Sequence, residues 1–171
     1  MKQFLIIIRG APASGKTTIA KKFVNYDQKI AWLKVDNFKP FFGDKALLKH
    51  QNDVDQCALA TLKHLFDSGF SVVMEKIFYD PSIIPLARQE AKKRGIRVAV
   101  FQIKCSLKTL QERDRNRPGI KEGCRKPMGD KAIEKIYHQL EETYYPDAIE
   151  LNTEKLSISQ CVSLIKKKLN I

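Results

Sequence analysis

Residues Gly10-Ala11-Pro12-Ala13-Ser14-Gly15-Lys16-Thr17 place two glycines, a lysine and a threonine at the spacing G-x-x-x-x-G-K-[ST]. That spacing suits the gripping of a phosphate chain. Glycines let the backbone wrap closely enough for amide N–H groups to face an anion, and a helix starting at the lysine adds the positive end of its dipole. Lys16 then reaches the β- and γ-phosphates of a nucleoside triphosphate, and the Thr17 hydroxyl ligates magnesium. Gly10, Ala11, Pro12, Ala13, Ser14, Gly15, Lys16, Thr17 and Thr18 are the expected nucleotide-binding residues. Lys16 also counts as catalytic, and ATP and Mg2+ are the expected cofactors. An accidental lysine–threonine pair in a plain strand–helix turn is the competing reading. The flanks speak against it: the aliphatic run Phe4-Leu5-Ile6-Ile7-Ile8, ended by Arg9, leads in, and Ile19, Ala20, Phe23 and Val24 lead out at helical spacing.

A second constellation is Glu112-Arg113-Asp114-Arg115-Asn116-Arg117-Pro118, followed by Gly119, Gly123, Pro127 and Gly129. Arginines on a closing lid grip a phosphoryl group in flight and expel water as they close. Arg113 and Arg117, four apart, would share a helix face, with Arg115 pointing elsewhere and Arg125 and Lys126 within the lid. The alternative is a solvated basic helix end, favoured by the dipole at a helix C-terminus. The G-protein signatures NKxD and DxxG are absent, and 171 residues are few for a motor ATPase. Together these features point to a kinase.

Strands alternating with helices must position these residues. Residues 3–9, 30–35, 71–77, 97–105 and 148–152 read as strands, the first buried on both faces. Helices are expected over 16–25, from Gly43-Asp44 to about Phe66, from Ser82, from Ser106 through Arg117, from Asp130, and from Ser157, where Gln160 completes a capping box. Gly69 and Gly95 stand where left-handed caps close helices. Pro85 fits only within a first helical turn. The expected fold is α/β: a three-layer α/β/α sandwich on a five-stranded, mainly parallel sheet, the P-loop NTPase fold. One domain spans 1–171, with a mobile arginine-rich lid at about 113–130.

Composition narrows the classes. Hydrophobic residues make up 43% and charged residues 29%, as in soluble globular proteins, and the net charge is +12. A basic chain attracts polyanions; nucleotide phosphates, nucleic acid and simple solubility all account for the charge. The leading apolar run is shorter than the roughly 7 residues of a signal core and the roughly 20 of a membrane span, so a cytoplasmic protein without a membrane partner is expected. Cys57, Cys105, Cys124 and Cys161 form no CxxC pair, and His50, His64 and His138 lack metal-ligand spacing. Free thiols and helix-surface histidines are the plain reading.

The chain resembles the nucleoside-monophosphate-kinase-like superfamily, in particular the small kinases that include polynucleotide 5′-hydroxyl kinase, zeta toxin and chloramphenicol phosphotransferase. The resemblance rests on GAPASGKTT, on VDNFKPF at 35–41, on LQERDRNRP at 110–118 and on LNT at 151–153. The first of these motifs is highly specific to the superfamily and the others are weaker. It implies that Asp36, after the second strand, is the base that receives the acceptor proton. A turn-capping role is the alternative for this residue. It also implies that Lys39 stands where relatives often hold the acceptor with arginine; lysine lacks the bidentate fork. Glu75 falls near a third-strand aspartate that many relatives tie to magnesium through water. A buried ion pair with Lys16 or Lys76 competes for Glu75. Asn152 and Thr153 would flank the adenine through backbone groups.

Phe38, Phe41 and Phe42, beside Lys39 and Lys45, would lie on the acceptor side of the cleft. They could stack a base or simply pack beneath a helix. The expected reaction is ATP-dependent transfer of the γ-phosphoryl group to a hydroxyl of an anionic acceptor: a nucleotide, a nucleic-acid 5′ end or a phosphorylated metabolite. A neutral small-molecule phosphotransferase of antibiotic type and a non-catalytic ATP- or nucleic-acid-binding module are the alternatives. Monomer and homodimer stay open, as does ATP against GTP.

Overall fold

A computed structural model describes residues 2–43, 49–119, 126–143 and 145–171. Five strands, β1 (Phe4–Gly10), β2 (Ile30–Lys34), β3 (Ser71–Glu75), β4 (Arg97–Lys104) and β5 (Ile149–Asn152), form one sheet in the order β2-β3-β1-β4-β5. Every pairing is parallel. Parallel neighbours require crossovers, and helices supply them on either face: α1 (Lys16–Val24), α2 (Gln51–Asp67), α3 (Ile83–Lys93), α4 (Leu107–Arg115), α5 (Asp130–Glu142) and α6 (Ile158–Leu169). This is the α/β sandwich the alternation implied, with an all-parallel sheet.

The period-2 alternation of a strand divides the core in two. Leu5 and Ile7 of β1 pack with Met74, Val54, Leu62 and Ile84 beneath α2 and α3. Phe4, Ile6 and Ile8 pack on the opposite face with Ile19, Phe23, Cys161 and Ile165 of α1 and α6. A third cluster, including Ala11, Leu110, Ile133 and Leu140, seats α4 and α5 beside the end of β1.

Local signals hold in several places. Ser157 and Gln160 form the capping box, Ser106 Oγ accepts from Thr109 N, and Pro85 lies in the first turn of α3. Gly69 and Gly95 have φ of 82° and 64°. Other readings change. Arg9 does not end β1 but continues it, 1% exposed, donating to Phe78 O and Thr143 Oγ1. Val35–Phe42 forms a 3-10 helix after β2, because the Pro40 ring and the short polar turn at Asp36-Asn37 disfavour a regular α-helix. The following α-helix begins at Gln51, not Gly43; residues 44–48, with Lys45, lie outside the described residues. Gly129, with φ 90°, is the N-cap of α5, so Asp130 is its first residue rather than its cap. α4 ends at Arg115, which leaves Arg117 beyond the helix. Arg125, Cys124 and Tyr144 also lie outside the described residues.

Gly10 joins the sheet to the phosphate-binding turn at a place where no side chain fits. Its φ is 151°, and a Cβ there would stand 2.8 Å from Ile103 O on the neighbouring strand. That oxygen is backbone and has nowhere to go. Gly10→Ala is therefore expected to destabilise the fold by about 1–3 kcal/mol and to weaken nucleotide binding. A urea midpoint equal to that of the parent protein would contradict this.

Candidate active site

The turn after β1 is built to receive an anion. Ala13 and Gly15 have φ of 63° and 101°. Gly15 is the N-cap of α1, which has no side-chain cap and no acidic residue in its first turn. The helix thus presents its positive end to the cleft with no acidic residue of its own first turn to satisfy it. Lys16 curls back over the loop, with Nζ donating to Ala11 O at 2.7 Å.

Thr17 Oγ1 donates to the Glu75 carboxylate, 2.9 Å and 3.2 Å from its two oxygens. Glu75 is 2% exposed. Burial raises its pKa, and the Lys16 charge and the Thr17 hydrogen bond pull it part of the way back. The geometry sets the Glu75 carboxylate against the Thr17 hydroxyl. Lys76 instead bonds Asp55 of α2. The division follows from the strand: Glu75 faces α1, and the next residue faces the other side. Burial raises the pKa of Asp55, with Lys76 opposing the shift.

Asp36 sits in the first turn of the 3-10 helix, its Oδ1 2.6 Å from Lys39 Nζ. One cleft of about 500 Å³ brings Lys16, Thr17, Asp36, Glu75 and Arg117 together. Phe38 and Phe42 pack partly against the α2–α3 core, whereas Phe41 is 75% exposed and meets Phe38 edge-on at 5.8 Å.

The two arginines separate. Arg117 reaches the cleft, with Nε 2.9 Å from Asp114 Oδ1. Arg113 lies behind the loop, donating to Thr153 Oγ1 at 3.0 Å and Thr153 O at 2.8 Å. Thr153 Oγ1 in turn donates to Ser14 O at 3.0 Å, so Arg113 braces the loop through Thr153. Arg115 turns outward to Asp130. Asp114 was hidden within a run of charges, yet it is 1% exposed. Its Oδ2 accepts from Met128 N at 2.7 Å and Gly129 N at 3.0 Å.

Thr17 and Glu75 offer hard oxygen donors suited to magnesium. Among the described residues no cluster of three or more His, Cys, Asp or Glu could hold a metal. Such sparse protein ligation fits an ion that keeps water and shares the nucleotide phosphates. No described helix is long and apolar enough to cross a membrane.

The Zeta toxin family model matches residues 2–158. None of the curated proteins matches the sequence. Solved structures match its fold across nearly all of its length. A tunicamycin resistance protein from Deinococcus radiodurans is 17% identical, with TM-score 0.69, covering 99% of this chain and 97% of that one. A gluconokinase from Sinorhizobium meliloti is 17% identical, with TM-score 0.66 and coverages of 98% and 91%. Thymidylate kinase from Candida albicans is 12% identical, with TM-score 0.66 and coverages of 99% and 92%.

Because burial raises the Glu75 pKa, its ionised form is disfavoured in the folded protein. The stability it contributes is full below the unfolded value near 4.5 and is lost as pH rises through the higher folded value. Glu75→Gln keeps an acceptor for Thr17 and removes the charge. It should raise stability at pH 7 by on the order of 1 kcal/mol and flatten the pH dependence, while weakening magnesium-dependent nucleotide binding. A lower melting temperature at pH 7 would refute this account of the carboxylate.

Proposed function

The chain belongs to the zeta toxin family, and from that premise we propose that it is an ATP-dependent kinase acting on a hydroxyl of an anionic acceptor. The observation that carries the proposal is the cleft that gathers the glycine-rich loop, the Thr17–Glu75 oxygen pair, the Asp36 carboxylate and Arg117. The names of the similar structures, a gluconokinase and a thymidylate kinase among them, span unlike acceptors. Fold therefore does not choose the acceptor. The lining supports an anion: Lys16, Lys21, Lys34, Lys76 and Arg117 outnumber Asp36 and Glu75.

In this reading the loop N–H groups and Lys16 hold the triphosphate, and Thr17 and Glu75 are the residues that would hold magnesium. The metal, when bound, neutralises charge on the β- and γ-phosphates. Asp36 orients the acceptor hydroxyl and receives its proton. The acceptor oxygen bonds to the γ-phosphorus as the bond to the bridging oxygen breaks, and ADP departs with that electron pair. Lys39, 2.6 Å from Asp36, holds the acceptor beside that carboxylate. Arg117 stabilises the charge spread over the equatorial oxygens. The sequence points to phosphate contact by at least one of Arg113 and Arg117; in this reading that one is Arg117, and Arg113 is a positioning residue that fixes the loop through Thr153.

Asp36→Asn should lower turnover by about 10²–10⁴-fold while ATP affinity stays within about twofold. Phosphoryl transfer is followed with γ-labelled ATP over an acceptor panel and binding by calorimetry. Turnover unchanged by the substitution would remove Asp36 as the base.

A further inference from the structure

Two cations that line the cleft have no carboxylate at ion-pair distance among the described residues. Lys21 lies on α1 four residues after Thr17, and Lys34 ends β2. Among the described residues neither has a carboxylate within ion-pair distance, although most other charges near the cleft are matched: Lys39 by Asp36, Lys76 by Asp55, Arg117 by Asp114. Lys34 sits near the Trp32 ring, 5.8 Å from its centroid, and its charge is felt by Glu75.

Their placement follows from the strand period. Ile30 and Trp32 pack toward α1 and α6, so Lys34, two residues on, points to the same face. There it pairs in register with Glu75. Lys21, one turn beyond Thr17, flanks the same space from the helix. The loop residues Pro12, Ala13 and Gly15 line the same cleft, as does Asp36, which is no more than about 7 Å along the chain from Lys34.

We propose that Lys21 and Lys34 form a second anion subsite that holds a phosphate group of the acceptor itself, a short distance from the hydroxyl Asp36 activates. The acceptor is then a phosphate ester with a free hydroxyl, and these two lysines set its specificity. The inference rests on the kinase reading, but the subsite is measurable without turnover. Lysine suits the task, since it acts as a point charge for phosphate, and two ammonium groups that give up no described carboxylate partner lose little when an anion arrives.

The test saturates the loop with Mg·ADP and titrates phosphate-bearing probes by calorimetry: thymidine 3′-phosphate and glycerol 3-phosphate, with thymidine and glycerol as uncharged controls. A 5′-hydroxyl oligonucleotide distinguishes a polymer from a small acceptor. Wild type should bind at least one phosphorylated probe and neither control. Lys21→Met and Lys34→Met should each raise that dissociation constant about tenfold, with ADP affinity held within twofold. Lys22→Met, the same charge loss on an exposed neighbour outside the cleft, should leave probe binding unchanged. Where transfer to the probe is seen, the loss should fall on KM rather than kcat. No second binding event, binding that survives the double substitution, or equal loss in Lys22→Met would overturn the proposal. Lysine-dependent binding with no transfer to any acceptor would uphold the subsite and sink the kinase reading instead.

Discussion

A carboxylate taken out of water must be answered by donors or charge, and the answer given to Glu75 organises this protein. The Thr17 hydroxyl reaches it from the first turn of α1, and the Lys16 ammonium acts on it through space. That contact locks β3 to the helix behind the phosphate-binding loop. It fixes where α1 starts, and therefore where the open N–H groups of its first turn face. The folding penalty of burying the charge and the chemistry of the cleft are two aspects of one arrangement: two oxygens held together where a hard cation has use for them.

Around this contact the sheet works as a sorting device. Alternate residues of β2 and β3 go to opposite faces, which sends Lys34 and Glu75 toward α1 and Lys76 toward Asp55 on α2. Lys34, Asp36, Glu75 and Lys76 all come to line one cleft beyond the ends of β2 and β3. Gly10 is the tightest point of the design, because β4 passes so close that its Ile103 carbonyl occupies the space of a side chain.

Much of this was legible in the sequence where the governing forces are local. The loop, the capping box at Ser157, the glycine caps at Gly69 and Gly95 and the strand–helix alternation each rest on neighbours a few residues apart. What was not legible depends on distant partners. Arg9 looked like the end of a strand because a charge after an aliphatic run normally meets water; its partner Thr143 is 134 residues away. The support that Arg113 gives to Ser14 was hidden because it passes through Thr153, 139 residues from that loop. Its four-residue spacing to Arg117 suggested a common face, but the helix stops at Arg115 and the two side chains part.

Asp114 carries a consequence of its own. One buried carboxylate holds Arg117 on the outgoing chain and the amides of Met128 and Gly129 on the returning one. The intervening stretch therefore begins and ends at a fixed neck, and the entropy of bringing its ends together is settled during folding, before any ligand arrives. That entropy grows only with the logarithm of length, by about 0.6 kcal/mol per doubling. Evolution is accordingly free to lengthen or trim this stretch without disturbing the arginine at its base.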